Sequence, residues 1–106
     1  MTRAPRAPGE IRCLLLLSVQ RALLGAVPAH LRQVSCGWNG EWLGLRFIFD
    51  GPIGGEATDA AQIVSTEVIA DFPDGWMIEE TIERMDYPEP LAPGAGTPLL
   101  AYRRKE

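Results

Sequence analysis

The chain has 106 residues, of which 46% are hydrophobic, and a formal net charge of −4. Its length is typical of one domain, and no apolar run approaches the roughly 18 residues of a membrane span, so we expect one domain without a membrane contact. Twelve acidic residues and two arginines lie between Glu41 and Pro90. This negative balance repels phosphate and disfavours a nucleic-acid partner. The acids either attract a basic partner or serve only as solvated surface.

The first predicted helix follows a tail that contains proline and arginine. We expect residues 1–9 to be disordered and residues 10–106 to form a single α+β domain. From about Gly9 to Gly25 the residues are good helix formers, and Gly25 and Pro28 mark the end of the helix. The main apolar arc of this helix consists of Ile11, Leu15, Val19, Ala22, Leu23 and Ala26.

A second apolar arc lies almost opposite the first on the same helix. It consists of Cys13, Leu17 and Leu24. A helix that is apolar on two sides is usually buried on two sides. The pattern therefore predicts either self-association through these three residues or their cover by a loop or tail.

Residues 31–50 are predicted to form a β-hairpin, because Asn39-Gly40 joins two runs of alternating apolar residues. Asn-Gly is the preferred sequence of a type I′ turn, in which both central residues have positive φ. On the second arm the predicted core face consists of Leu43, Leu45, Phe47 and Phe49. The opposite face consists of Trp42, Gly44, Arg46 and Ile48, and its mixture of aromatic, basic and aliphatic groups makes it the candidate binding face.

The second half of the chain predicts one more helix and two more strands. A helical pattern begins at Glu56, and its apolar stripe consists of Ala57, Ala61, Val64, Val68 and Phe72. Residues 76–87 and residues 99–104 read as strands on either side of a proline-rich loop. The order α-β-β-α-β-β predicts an α+β two-layer sandwich, in which a four-stranded antiparallel sheet carries both helices on one face and leaves the other face open.

The sequence contains no recognisable catalytic or metal-binding constellation. His30 is the single histidine, and no serine or cysteine has the context of a nucleophile. Glu79 and Glu83 lie roughly 13 Å apart along a strand, too far to share a proton. We therefore predict that the protein is not an enzyme and uses no catalytic residue, cofactor or metal. An enzyme would require an enclosed pocket, lined for example by Arg46, Glu80 and Tyr102.

The cysteines and the N-terminus predict the cellular compartment. Cys13 and Cys36 form no CxxC or Cys/His spacing, which argues against a zinc site and for a reduced compartment. Two arginines precede an apolar run, as in a signal peptide, but Gln20 and Arg21 interrupt the region before the apparent cleavage point. We expect a cytoplasmic protein, with secretion as the alternative.

Four segments carry a resemblance to a known family. They are residues 14–35 (LLLLSVQRALLGAVPAHLRQVS), 45–53 (LRFIFDGPI), 65–80 (STEVIADFPDGWMIEE) and 102–106 (YRRKE). Together they resemble a small bacterial α-β-β-α-β-β family that includes cytoplasmic immunity proteins for contact-dependent or polymorphic toxins. The resemblance implies a binding role and supplies no catalytic residues. Residues 1–9 and 93–97 are local departures from the pattern.

The leading hypothesis is a non-enzymatic immunity protein that neutralises a basic toxin domain by occupying its surface. Complementary charge would speed association, and aromatic side chains would anchor the complex. The predicted partner-binding residues are Trp42, Arg46, Trp76, Glu79, Glu80, Glu83 and Tyr102. The alternative is a homodimeric structural or interaction domain that self-associates through Cys13, Leu17 and Leu24.

Overall fold

The computed structural model describes residues 7–106, which form two helices and one four-stranded sheet. The elements are α1 (Pro8–Leu23), β1 (Leu31–Asn39), β2 (Trp42–Phe49), α2 (Gly55–Ala70), β3 (Met77–Arg84) and β4 (Leu99–Arg103). The prediction of a disordered tail lies, for residues 1–6, outside the described residues, and α1 begins at Pro8. Neither helix in the described part of the chain has the length and apolar character that crossing a bilayer requires.

The hydrophobic core lies between the two helices and one face of the sheet, so the predicted two-layer α+β class is confirmed. The apolar stripe of α2 and the predicted core face of β2 are both buried. From α1 the core receives the predicted arc residues Leu15, Val19, Ala22 and Leu23. Periodicity of 3.6 in the helices and 2 in the strands therefore places these side chains correctly.

The sheet is mixed, and the prediction of a purely antiparallel sheet is wrong for one pair of strands. The strand order is β3-β2-β1-β4, and β2 pairs with β3 in parallel. The reason is that α2 crosses over between these two strands, so the chain re-enters the sheet in the direction in which it left. β4 pairs with β1 at the other edge and is antiparallel, as predicted.

The hairpin turn is displaced by one residue from its predicted position. Asn39 pairs with Trp42, which makes Gly40 and Glu41 the central residues. Gly40 has a φ of 61° and no non-glycine residue in the described chain has positive φ. Positive φ at the first central position alone is the pattern of a type II′ turn, which needs glycine there. The two arms of the hairpin are nevertheless as predicted.

A β-bulge in β1 places Arg32 where it joins distant parts of the chain. The register of β1 against β2 shifts between Leu31 and Gln33, and the Arg32 side chain is only 2% exposed. Its Nε and Nη2 donate to the two carboxylate oxygens of Glu106 at 2.7 and 2.9 Å. Its Nη1 and Nη2 also donate to the carbonyl oxygens of Met85 (2.6 Å) and Glu89 (3.0 Å). We call these four residues the Arg32 clamp.

The Arg32 clamp predicts a specific pH dependence of stability. Hydrogen bonds from Arg32 and then from Arg104 hold the pKa of Glu106 at about 2, below its ordinary value of 4.5. A carboxyl group with a depressed pKa in the folded state stabilises the fold fully above its unfolded pKa and loses this contribution as the pH falls toward its folded pKa. We therefore expect Glu106→Gln to be destabilised relative to wild type at pH 7, with the difference shrinking between pH 4.5 and about 2.

Urea unfolding of both proteins at several pH values measures this difference. Glu89→Gln is the matched control, because only the backbone carbonyl of Glu89 takes part in the clamp. A stability difference between Glu106→Gln and wild type that stays constant from pH 7 to pH 2 would show that the Glu106 carboxylate is not held by Arg32.

Candidate functional site

The sheet face opposite the helices, which we call the outer face, is half covered. Gln33, Ser35 and Ile48 lie on this face and are fully buried. Residues 85–98, which we call the strap, lead from β3 at one edge of the sheet to β4 at the other. The outer face was predicted to be open, and this prediction is wrong for the half that contains Gln33, Ser35 and Ile48. The strap crosses that half of the outer face.

Polar contacts hold the strap on the outer face. Arg46 Nη1 donates to the carbonyl oxygen of Ala92 at 2.7 Å, and Arg103 Nη2 donates to that of Leu91 at 3.3 Å. The hydroxyl groups of Ser35 and Thr97 are 3.0 Å apart and buried. Together with the Arg32 clamp, these contacts fix both ends and the middle of the strap.

Two glycines let the strap approach the sheet closely. Gly37 and Gly44 are cross-strand partners on the outer face. A Cβ atom at Gly37 would collide with the carbonyl oxygen of Gly96 and would lie 2.9 Å from Pro98 Cδ. At Gly44 the nearest strap atom would be Thr97 Cγ2, at 3.3 Å. The strap therefore rests on backbone that has no side chains.

The other half of the outer face forms an open groove of about 640 Å³ beside the hairpin turn. Gly44 forms its floor, and Trp42, which is 51% exposed, forms one wall. Glu79 of β3 pairs with Gly44 in the parallel ladder and forms the second wall. Thr97 of the strap lies opposite Glu79, and Arg46 closes one end.

The charges of the groove are unequally compensated. Arg46 donates from Nε and Nη2 to the carboxylate of Glu83, at 3.1 and 2.8 Å. This pair lowers the pKa of Glu83 and raises the pKa of Arg46, since each hydrogen bond favours the charged forms. Within the described residues, Glu79 has no ion pair within 4 Å. The groove therefore carries one uncompensated negative charge.

The structure distributes the predicted partner-binding residues over both sides of the sheet. On the outer face are Trp42, Arg46, Glu79 and Glu83. On the helix side, Trp76 packs against Phe72 with ring centroids 5.0 Å apart, and Ser65 Oγ donates to Glu80 Oε2 at 3.3 Å. Tyr102 also packs against the core. Arg46, Glu80 and Tyr102 therefore do not line one pocket.

The predicted self-association residues of α1 do not belong to this groove. Cys13 is exposed, and Leu17 and Leu24 are 64% and 79% exposed. The part of the chain that the structure describes does not cover them.

The remaining reactive side chains lie elsewhere. Burial raises the pKa of the Cys36 thiol to about 12, so this group is an unreactive core residue at neutral pH. The His30 ring packs against Phe49, with centroids 5.0 Å apart. Among residues 7–106, no three His, Cys, Asp or Glu side chains are grouped as a metal site would require.

The strap residues that line the groove, Gly94, Gly96 and Thr97, were missed by sequence reasoning. The contact of the strap with the sheet could have been predicted from the positions of Gly37 and Gly44 in the hairpin. Both are on the same face and directly opposite each other, so together they leave a strip of bare backbone in the middle of the sheet.

Most of the chain matches the model of a known protein family. A family model described as MafI2 immunity protein matches residues 12–106, which include all the described elements except the first turn of α1. The chain belongs to the MafI2 immunity protein family. No curated protein matches it.

Membership in the MafI2 immunity protein family gives the chain its general role. An immunity protein neutralises a toxin by binding it, so the role is that of a non-enzymatic binding protein with a protein partner. The resemblance read from the four sequence segments is confirmed. The MafI2 family match does not single out particular residues, and the groove and its surroundings are therefore the candidate site on structural grounds.

The close approach of the strap to Gly37 yields a testable prediction for this MafI2 protein. Gly37→Ala should lower the free energy of unfolding by about 1 to 3 kcal/mol, because the strap backbone must move away from the sheet. Gly96→Ala is the matched control in the same strap, since a Cβ there meets nothing within 4 Å. Urea denaturation measures both, and equal stability of the two variants would contradict the packing described here.

Proposed function

We propose that this MafI2 immunity protein blocks a basic toxin domain with the end of the outer face that lies beside the hairpin turn. The observation that carries the proposal is a pair of exposed apolar side chains surrounded by acids. Trp42 and Met77 are partners in the parallel ladder and are 51% and 50% exposed. Clusters of exposed aromatic and methionine side chains are typical of binding surfaces in proteins.

The charges around this pair support a basic partner surface. Glu41 is exposed in the hairpin turn, Asp74 is exposed next to Gly75, which lies close to the Glu41 carboxylate, and Glu79 lies in the groove. Within residues 7–106 none of these three carboxylates has an ion pair. Several arginines elsewhere are paired, as in Arg84 with Asp86 and Arg104 with Asp50. This end of the molecule therefore presents net negative charge, which also argues for a protein rather than a nucleic acid as partner.

The proposed mode of action is occlusion and requires no reaction in this chain. The groove is open, and its one arginine is engaged by Glu83 and by the carbonyl of Ala92. We also propose that the protein acts in a reducing, cytoplasmic compartment, since Cys13 is exposed and Cys36 is buried, which does not suit a disulfide between them.

We expect the reading frame immediately upstream to encode the toxin, and co-expression with that toxin tests the proposal. We expect this chain to restore growth of cells that express the toxin, and the purified pair to form a complex. Since complementary charge accelerates association, raising the salt concentration from about 0.05 M to about 0.5 M should slow the association rate constant by about tenfold. A rate that does not change with salt would contradict a basic partner surface.

A second candidate role is self-association, and one observation favours it. Leu17 lies on α1 and Leu24 directly follows the last residue of α1, and both are largely exposed. An apolar stripe on a helix is a common dimer contact. In this reading the protein is a homodimer, either in addition to toxin binding or as a structural domain in its own right.

Sedimentation at micromolar concentration tests self-association. If α1 forms the contact, wild type sediments as a dimer and the double variant Leu17→Glu and Leu24→Glu sediments as a monomer. Ile63→Glu is the matched control, because Ile63 is an apolar side chain on α2 that is 56% exposed. A monomeric wild type would remove this second role.

A further inference from the structure

We propose that the groove receives a lysine or arginine side chain of the toxin, held between the indole ring of Trp42 and the carboxylate of Glu79. This inference rests on the proposed function, because it names the chemical group of the partner that enters the same surface. We expect one basic residue of the toxin to anchor the complex. A diffuse attraction between charged surfaces would need no such residue.

The ladder register creates the space for such a side chain. Trp42 pairs with Met77, and Gly44 pairs with Glu79, so Trp42 and Glu79 lie diagonally across two neighbouring strands. Alternate residues of a strand are roughly 6.6 Å apart and point to the same side. Since Gly44 has no side chain, β2 contributes nothing between the Trp42 ring and Arg46. The strap lies over one side of this floor, where Thr97 Cγ2 would be 3.3 Å from a Cβ at Gly44, and the groove is the space that remains between Thr97, Trp42 and Glu79.

The side chains that border this space select for a cation. The face of an indole ring attracts Lys and Arg more strongly than any other aromatic side chain does. Glu79 supplies an acceptor that has no ion pair among the described residues. An entering ammonium or guanidinium group would therefore meet an aromatic face and a free carboxylate in one place.

Arg46 does not reverse this selection. Its guanidinium binds Glu83 through Nε and Nη2 and the carbonyl oxygen of Ala92 through Nη1. The pair with Glu83 compensates its charge, so an acidic group from the partner would gain little from Arg46 and would be repelled by Glu79. In this interpretation Arg46 and Glu83 are positioning residues that shape the end of the groove and hold the strap.

The test is the dissociation constant of the complex with the purified domain of the toxin whose growth inhibition this chain relieves. We expect Glu79→Gln to raise the dissociation constant by about tenfold and Trp42→Ala by about thirtyfold, as for central anchor residues of an interface. The matched controls are Glu67→Gln and Ile63→Ala, since both residues are exposed on α2. These two variants should stay within about twofold of wild type.

The outcomes separate the two proposals. If wild type binds no toxin domain, the proposed function is overturned and the anchor falls with it. If wild type binds but Glu79→Gln and Trp42→Ala bind equally well, the proposed function stands and the anchor is overturned. Trp42 and Glu79 are both exposed, so unfolding midpoints equal to that of wild type should show that the variants are folded.

Discussion

One buried guanidinium group, that of Arg32, holds together parts of the chain that the secondary structure alone leaves separate. It sits at a bulge in β1, and its donors reach the Glu106 side chain and the carbonyls of Met85 and Glu89. A guanidinium carries five donors in a planar fork, and here a carboxylate and two carbonyls accept from it. The first residues of the strap, Met85 and Glu89, and the last residue, Glu106, thus share one partner.

The position of the strap in turn determines what remains of the outer face for binding. The strap covers the half that contains Gln33, Ser35 and Ile48, and its last residues rest on the bare backbone of Gly37 and Gly44. What is left is the end near the hairpin turn, where exposed apolar groups and unpaired acids lie together. A surface of this kind suits the role of the MafI2 immunity family, because it offers short-range apolar contact and long-range attraction at the same place.

Elements fixed by local pattern could be predicted from the sequence, while features that depend on distant contacts could not. The buried faces of β2 and α2 follow from periodicity and are confirmed. The parallel pairing of β2 with β3 depends on how α2 crosses the sheet, and the shift of the hairpin turn depends on Gly40 alone having positive φ. Of the predicted site residues, Trp42, Arg46, Glu79 and Glu83 share the outer face. Glu80 and Tyr102 lie on the other side because side chains alternate along their strands, and Trp76, which directly precedes β3, packs there against Phe72.

In the proposed function the toxin contacts the outer face at its hairpin end. Amide hydrogen exchange of this chain, measured alone and in complex with the toxin domain, locates the contact. We expect slower exchange in the complex at the turn around Gly40 and Glu41 and at the first residues of β3, with little change along α1 and α2. Slower exchange confined to the two helices, with the turn and β3 unchanged, would contradict it.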